Sequence, residues 1–182
     1  MLVDEFERIA TAAQREGVRL EFLLGKLGVK VEPDGNHGEI FRWVMQRCLQ
    51  HRPGLWLYPA RGLRVKAYRN GHAKPDGALA PEGSFGPGEW ADADHVLMVL
   101  EVTSYDADTD KRDPRVRAAR IRRDRHSGIS ADRSGGGRGS SHSAPEDGVY
   151  ATLVRRPFGK SVELPEPVGI VFETEPLKEW IH

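Results

Sequence analysis

Cysteine is all but absent. The 182-residue chain has one, Cys48, so no intramolecular disulfide can form and no cysteine-based zinc centre can be assembled. A surplus of charge is missing too: 27 Lys and Arg balance 27 Asp and Glu. A dedicated nucleic-acid binder usually carries a basic excess, so charge lends DNA binding no general support. A neutral total remains compatible with a local basic cleft around an acidic centre. No apolar run approaches the roughly 18 residues that span a bilayer, and the N-terminus lacks the basic, apolar and small-residue order of a signal peptide. The simplest reading of these absences is a cytoplasmic protein with no membrane contact. Internal repeats are also lacking. What is there, 38% hydrophobic and 30% charged residues, is ordinary for a globular chain. The length suffices for one domain with a hydrophobic core.

Periodicity supplies the elements. Phe6, Ile9, Ala12 and Ala13 mark one side of a short charged helix within residues 3–16. Apolar clusters at Leu20–Leu23 and Val29–Val31, separated by Gly25 and Gly28, read as two short strands. After the turn cluster Pro33 to Asn36, the clearest helix carries Ile40, Phe41, Val44, Met45, Cys48 and Leu49 at helical spacing, with Asn36 as its expected cap. That stripe is a core-packing face. Strands are expected at Gly54–Tyr58, Leu63–Tyr68 and Gly77–Ala80, and residues 81–94 read as a surface loop. His95–Val102 (HVLMVLEV) is the most apolar run and suits a strand buried on both faces. Val149–Val154 and Ser161–Leu164 are later strands, and Leu177–Ile181 a terminal helical turn.

Two carboxylates stand out by position. Asp76 follows Pro75 at the mouth of an expected strand, and Glu101 lies near the end of the apolar one. A charged Glu there is costly unless paired, protonated or bound to metal. Phosphodiester hydrolysis uses a divalent ion to polarise phosphate and acidify water, and Mg²⁺ suits one or two carboxylates plus waters and substrate oxygens. The same residues admit plainer readings. Pro-Asp-Gly is a common turn, and a Glu at a strand end is often leaving the core. His37 opens a helix and could bond locally or touch phosphate. Lys66 and Lys74 could line a phosphate path or simply be solvated.

In order and spacing the motifs resemble the Uma-type restriction endonucleases, a branch of the PD-(D/E)XK nuclease superfamily. The resemblance rests on Leu20-Glu21-Phe22 with Gly25-Lys26-Leu27, on His37-Gly38-Glu39-Ile40, and on Pro75-Asp76. It continues in Glu101-Val102-Thr103-Ser104 with the acidic stretch to Asp113, and in Pro157-Phe158-Gly159-Lys160 through Leu164-Pro165. It covers residues 18–113 and 146–180, no single motif being specific. It implies an α/β (α+β) fold, a restriction-endonuclease-like mixed sheet with flanking helices, as one domain over residues 1–182. It implies a DNA endonuclease using Mg²⁺ or another divalent cation, with Asp76 and Glu101 as metal-binding carboxylates. Glu21, His37 and Lys74 would be supporting residues. Many restriction-type nucleases are dimers, so a homodimer is compatible.

The segment from about Pro114 to Ser141 departs from that pattern. It is rich in Arg, Gly and Ser, has almost no large apolar residue and shows no period. Its composition is that of a disordered basic tract, and the core is expected to be disrupted there. The family's helix after the central motif carries a Lys and then a Tyr; here Arg117 and Ile121 stand near those positions, and Lys111 precedes them. Arg117 could act as a fixed charge, although Arg is not equivalent to Lys in such a site. A reading-frame shift accounts for the composition. With permitted codons, Ser130–His142 read one nucleotide later can encode Pro-Leu-Ile-Asp-Arg-Glu-Ala-Gly-Glu-Val-Val-Val, a strand, a turn and a strand. The nucleotide sequence over codons 110–145 tests this; codons that yield no such strands in any frame exclude it. Two rival functions follow from the segment: a catalytically inactive nuclease remnant, or a nucleic-acid-binding module with a flexible basic arm.

Overall fold

The computed structural model describes residues 3–23, 25–30, 34–65, 71–103, 127–133, 137–146 and 149–181. In chain order the elements are α1 (Val3–Arg15), β1 (Arg19–Leu23), β2 (Lys26–Lys30), α2 (Gly35–His51), β3 (Leu55–Pro59), β4 (Gly62–Val65), β5 (Gly71–Ala73), β6 (Gly77–Pro81), β7 (Trp90–Asp92), β8 (Met98–Thr103), β9 (Ser127–Asp132), β10 (Arg138–Glu146), β11 (Val149–Pro157), β12 (Ser161–Leu164) and β13 (Ile170–Glu173). Short 3-10 helices span Ala93–His95 and Glu175–Trp180. Two mixed sheets, ordered β2-β1-β5-β4-β7 and β11-β10-β9-β8-β6-β3, and the hairpin β12-β13 make an α/β fold.

Side-chain alternation decides what each sheet face does. Along β8, Met98, Leu100 and Val102 join the main core with Ile40, Trp43, Val44 and Cys48 of α2. Val99 points the other way, into a second core with Leu63, Val65, Ala73 and Ala78. Both faces of β8 are therefore dry, as its apolar run requires. α1 covers a third cluster by burying Phe6 and Ala10 against Leu20, Phe22 and Trp90.

Four expectations are corrected. The cap of α2 is Asp34, whose Oδ1 accepts the N–H of His37 at 2.7 Å; Asn36 lies inside the helix. A carboxylate at this position satisfies an orphan N–H and faces the positive end of the helix dipole. The apolar run does not start a strand at His95, which closes a 3-10 turn, and a strand (β7) forms within the expected loop. The arginine- and glycine-rich segment does form strands where it is described: β9 lies parallel to β8, with Leu100 opposite Ile129, and β10 lies antiparallel to β9. Backbone hydrogen bonding on an established sheet edge does not require apolar side chains. Arg133, just after β9, donates through Nη1 to both Asp34 oxygens at 2.7 and 2.8 Å, tying this segment to the cap of α2.

Glu7 anchors α1 to the smaller sheet. Its Oε1 accepts from Arg64 Nε at 2.8 Å and lies 2.8 Å from Nε2 of the buried His72. The hydrogen bond from Arg64 outweighs burial and holds the Glu7 carboxyl below its usual range. Asp34 is held low in the same direction, first by its hydrogen bond from Arg133. Both folded-state pKa values are depressed, so their stabilisation is full above the ordinary carboxylate range, about pH 4, and is lost as pH falls below it. Melting temperature is expected to fall through that window, and the fall should be shallower in Glu7→Gln. An unchanged acid slope in that variant would remove Glu7 from the account.

Candidate active site

The register of β6 against β8 builds the site. Gly77 stands opposite Leu100, so the next pair outward is Asp76 with Glu101. Asp76 shares its strand face with Ala78, and Glu101 shares its face with Val99; both are on the side away from the main core. The two carboxylates are buried at 8% and 4% exposure. Asp76 Oδ2 accepts the backbone N–H of Val102 at 2.7 Å, which bolts it to the strand carrying Glu101.

A cation stands between them. Lys30, at the end of β2, places Nζ 2.5 Å from Asp76 Oδ1 and 3.6 Å from Glu101 Oε2. The same ammonium donates to the carbonyl oxygen of Lys74 at 2.6 Å. His37, in the first turn of α2, sets Nε2 3.1 Å from Asp76 Oδ2. Burial raises the Asp76 carboxyl, but the charge of Lys30 and the bond from His37 outweigh it and hold it ionised, well below the usual carboxylate range. Glu21, buried on β1, accepts the backbone N–H of Lys74 at 2.9 Å and so fixes the peptide beside the pair.

The structure thus brings together Asp76, Glu101, His37 and, through the Lys74 backbone, Glu21. It does not bring the Lys74 ammonium in: that group bonds Gln14 Oε1 at 2.7 Å and Glu89 Oε1 at 2.8 Å, over the Trp90 ring. Arg117 and Lys66 lie outside the described residues. Cys48 is no nucleophile, since burial pushes its thiol up to about 12.

Lys30 went unnoticed in the sequence for a physical reason. Alternation along Lys26–Lys30 favours burying Leu27 and Val29. The strand does the opposite, leaving them 49% and 57% exposed and turning Lys30 inward. The only available signal was two lysines flanking an apolar pair, which reads as a solvated face.

Two carboxylates and a peptide carbonyl are donors that could hold a divalent ion, with waters and substrate oxygens completing its shell. A buried ammonium already bonds Asp76 and the Lys74 carbonyl and lies 3.6 Å from Glu101. Among the described residues, no group of three or more His, Cys, Asp and Glu side chains is placed to hold a metal ion; Mg²⁺ can be bound through one or two carboxylates with waters and substrate.

A family model described as "Uma2: Putative restriction endonuclease" matches residues 3–122. The chain belongs to the Uma2 family. Its fold is similar to a crystal structure titled a putative nuclease belonging to DUF820 from Anabaena variabilis. The TM-score is 0.66 at 13% identity, over 90% of this chain and 92% of that one. The Uma2 match ends before β9, whereas the structural likeness runs on through most of the chain. No curated protein matches the sequence. No helix among the described residues is long and apolar enough to cross a membrane.

Proposed function

We propose that this Uma2 chain, as a single domain, is a divalent-metal-dependent DNA endonuclease that hydrolyses phosphodiester bonds at the Asp76–Glu101 pair. The observation that carries the reading is the placement of these two buried carboxylates side by side across the β6–β8 ladder, with a cation held between them. Asp76, Glu101 and the Lys74 carbonyl would hold Mg²⁺. When bound, the ion supplies polarisation of the phosphate and a water of lowered pKa.

The chain's own residues prepare the site. The Val102 N–H and His37 Nε2 share Asp76 Oδ2, which fixes the carboxylate plane and leaves Oδ1 facing inward. Such supporting bonds orient ligands and sustain their basicity. Glu21 holds the Lys74 N–H, one peptide before the Lys74 carbonyl that accepts from Lys30. The lysine that the resemblance expects on the helix after the central motif is replaced in the sequence by Arg117.

One observation favours the inactive-remnant reading. β9, parallel to the most buried strand, reads Ser-Gly-Ile-Ser-Ala-Asp, where a strand in that position is normally near-continuously apolar. Supercoiled plasmid separates the readings. An endonuclease nicks it in Mg²⁺ and stops in excess EDTA. A remnant nicks it in neither. A basic arm binds without Mg²⁺ and releases steeply with salt. Failure to nick in Mg²⁺ or Mn²⁺ by folded protein sinks the enzyme reading.

A further inference from the structure

Lys30 is the one residue at the carboxylate pair that the proposed chemistry leaves without a task. An ammonium has three N–H donors and no acceptor. At Lys30 it faces Asp76 Oδ1 at 2.5 Å, the Lys74 carbonyl at 2.6 Å and Glu101 Oε2 at 3.6 Å. These are the same three groups that offer oxygens to a metal. We infer that Lys30 is a tethered counter-cation: its ammonium holds the place of the divalent ion between Asp76 and Glu101, and the ion binds by displacing it.

Three features of the fold support this. Two carboxylates this close and this buried repel each other when charged, and a cation shared between them offsets that repulsion. Among the described residues, the only cation within 4 Å of both carboxylates is the Lys30 ammonium. Next, the orientation of β2 is unfavourable by its own hydrophobicity. It exposes Leu27 and Val29 and takes Lys30 in, to a side-chain exposure of 9%, so the inward lysine is a feature the strand is turned to provide. Finally, among the described residues β2 is an edge strand, paired with β1 alone. A compact point charge on a flexible four-carbon stem can withdraw while the strand stays in register.

The consequence is a competition. A site that is free only in the fraction of molecules whose lysine has withdrawn shows an apparent Kd raised by the inverse of that fraction. If the ammonium is in place in about nine molecules of ten, removing it tightens metal binding about tenfold. This inference rests on the assignment of Asp76 and Glu101 as metal ligands, so its test must separate the two.

Calorimetric titration of the full chain with MnCl₂ does so, using the parent, Lys30→Met and Asp76→Asn. Lys30→Met is expected to bind Mn²⁺ about tenfold more tightly than the parent. Its melting temperature without metal should be lower, and Mn²⁺ should raise it by more than it raises the parent's. Should Lys30→Met not fold without metal, Lys30→Gln, which keeps a donor to Asp76 and to the Lys74 carbonyl but no charge, is titrated instead, with the same tightening expected. Mn²⁺ binding that is lost in Asp76→Asn but unchanged or weaker in the Lys30 variants overturns the counter-cation and leaves the metal site standing. Mn²⁺ binding that Asp76→Asn does not disturb overturns both.

Discussion

Asp76→Asn is expected to reduce Mg²⁺-dependent plasmid cleavage by about 10³-fold or more, a scale set by losing a charged group that stabilises the transition state in a water-poor site. The substitution keeps the side chain's volume and one acceptor for the Val102 N–H. It removes the charge that faces Lys30 and receives His37. The loss should fall on single-turnover cleavage and hardly on DNA binding, because an interaction made chiefly in the transition state lowers the rate without weakening the ground state. Glu101→Gln should behave alike. His37→Ala should be milder, by about 10- to 100-fold, as befits a residue that orients a ligand. Cleavage within about threefold of the parent in Asp76→Asn, on the same free-energy scale, would mean that the nuclease centre lies elsewhere.

Gly137→Ala is expected to be the most damaging single methyl in the fold. Gly137 begins the turn into β10 at φ +74, and an added Cβ would collide with the Phe158 ring and meet Ile181 Cδ1 at 2.9 Å. Phe158 is itself buried in the main core with Val162 and Leu177, so the ring cannot swing away freely. The left-handed backbone costs an alanine about 1–2 kcal/mol, and overpacking adds about 1–3 kcal/mol. A loss of about 2–5 kcal/mol is a large share of a typical stability of about 5–15 kcal/mol. Urea denaturation measures it through the midpoint at constant slope. A loss under about 0.5 kcal/mol, the level of an ordinary surface change, would show that Gly137 is not packed on Phe158 in solution.

That turn lies in the part of the chain where sequence reasoning was weakest. The helical stripe from Ile40 to Leu49 and the apolar run ending at Val102 were legible because each pattern has a single structural solution: α2 buries Ile40, Trp43, Val44 and Cys48, and β8 is dry on both faces. The Asp76–Glu101 pair was legible as two acids at strand mouths; their adjacency needed the antiparallel register of β6 on β8. Lys30 was not legible, since alternation predicts the wrong face of β2. Asp34 was hidden among four turn residues, of which Asp34, Gly35 and Asn36 are all common N-caps.

The segment after Pro114 defeats both composition and period. Ser127–Asp132 has only two apolar side chains, Ile129 and Ala131, yet pairs along the whole of β8. The one-nucleotide-shifted reading of Ser130–His142 also places a strand, a turn and a strand there, in the residue types a central strand normally carries. A strand position occupied by residues that do not suit it is what a shifted frame leaves behind. We propose that account for this segment, to be decided by the codons themselves.

The central claim is that Asp76 and Glu101 form one metal centre. Crystals of the full chain soaked in MnCl₂, with data collected above the manganese absorption edge, test it most directly. The account predicts an anomalous peak bound by Asp76 and Glu101, with the Lys30 ammonium no longer between them. Manganese bound only elsewhere, with Lys30 still seated on Asp76, would contradict it.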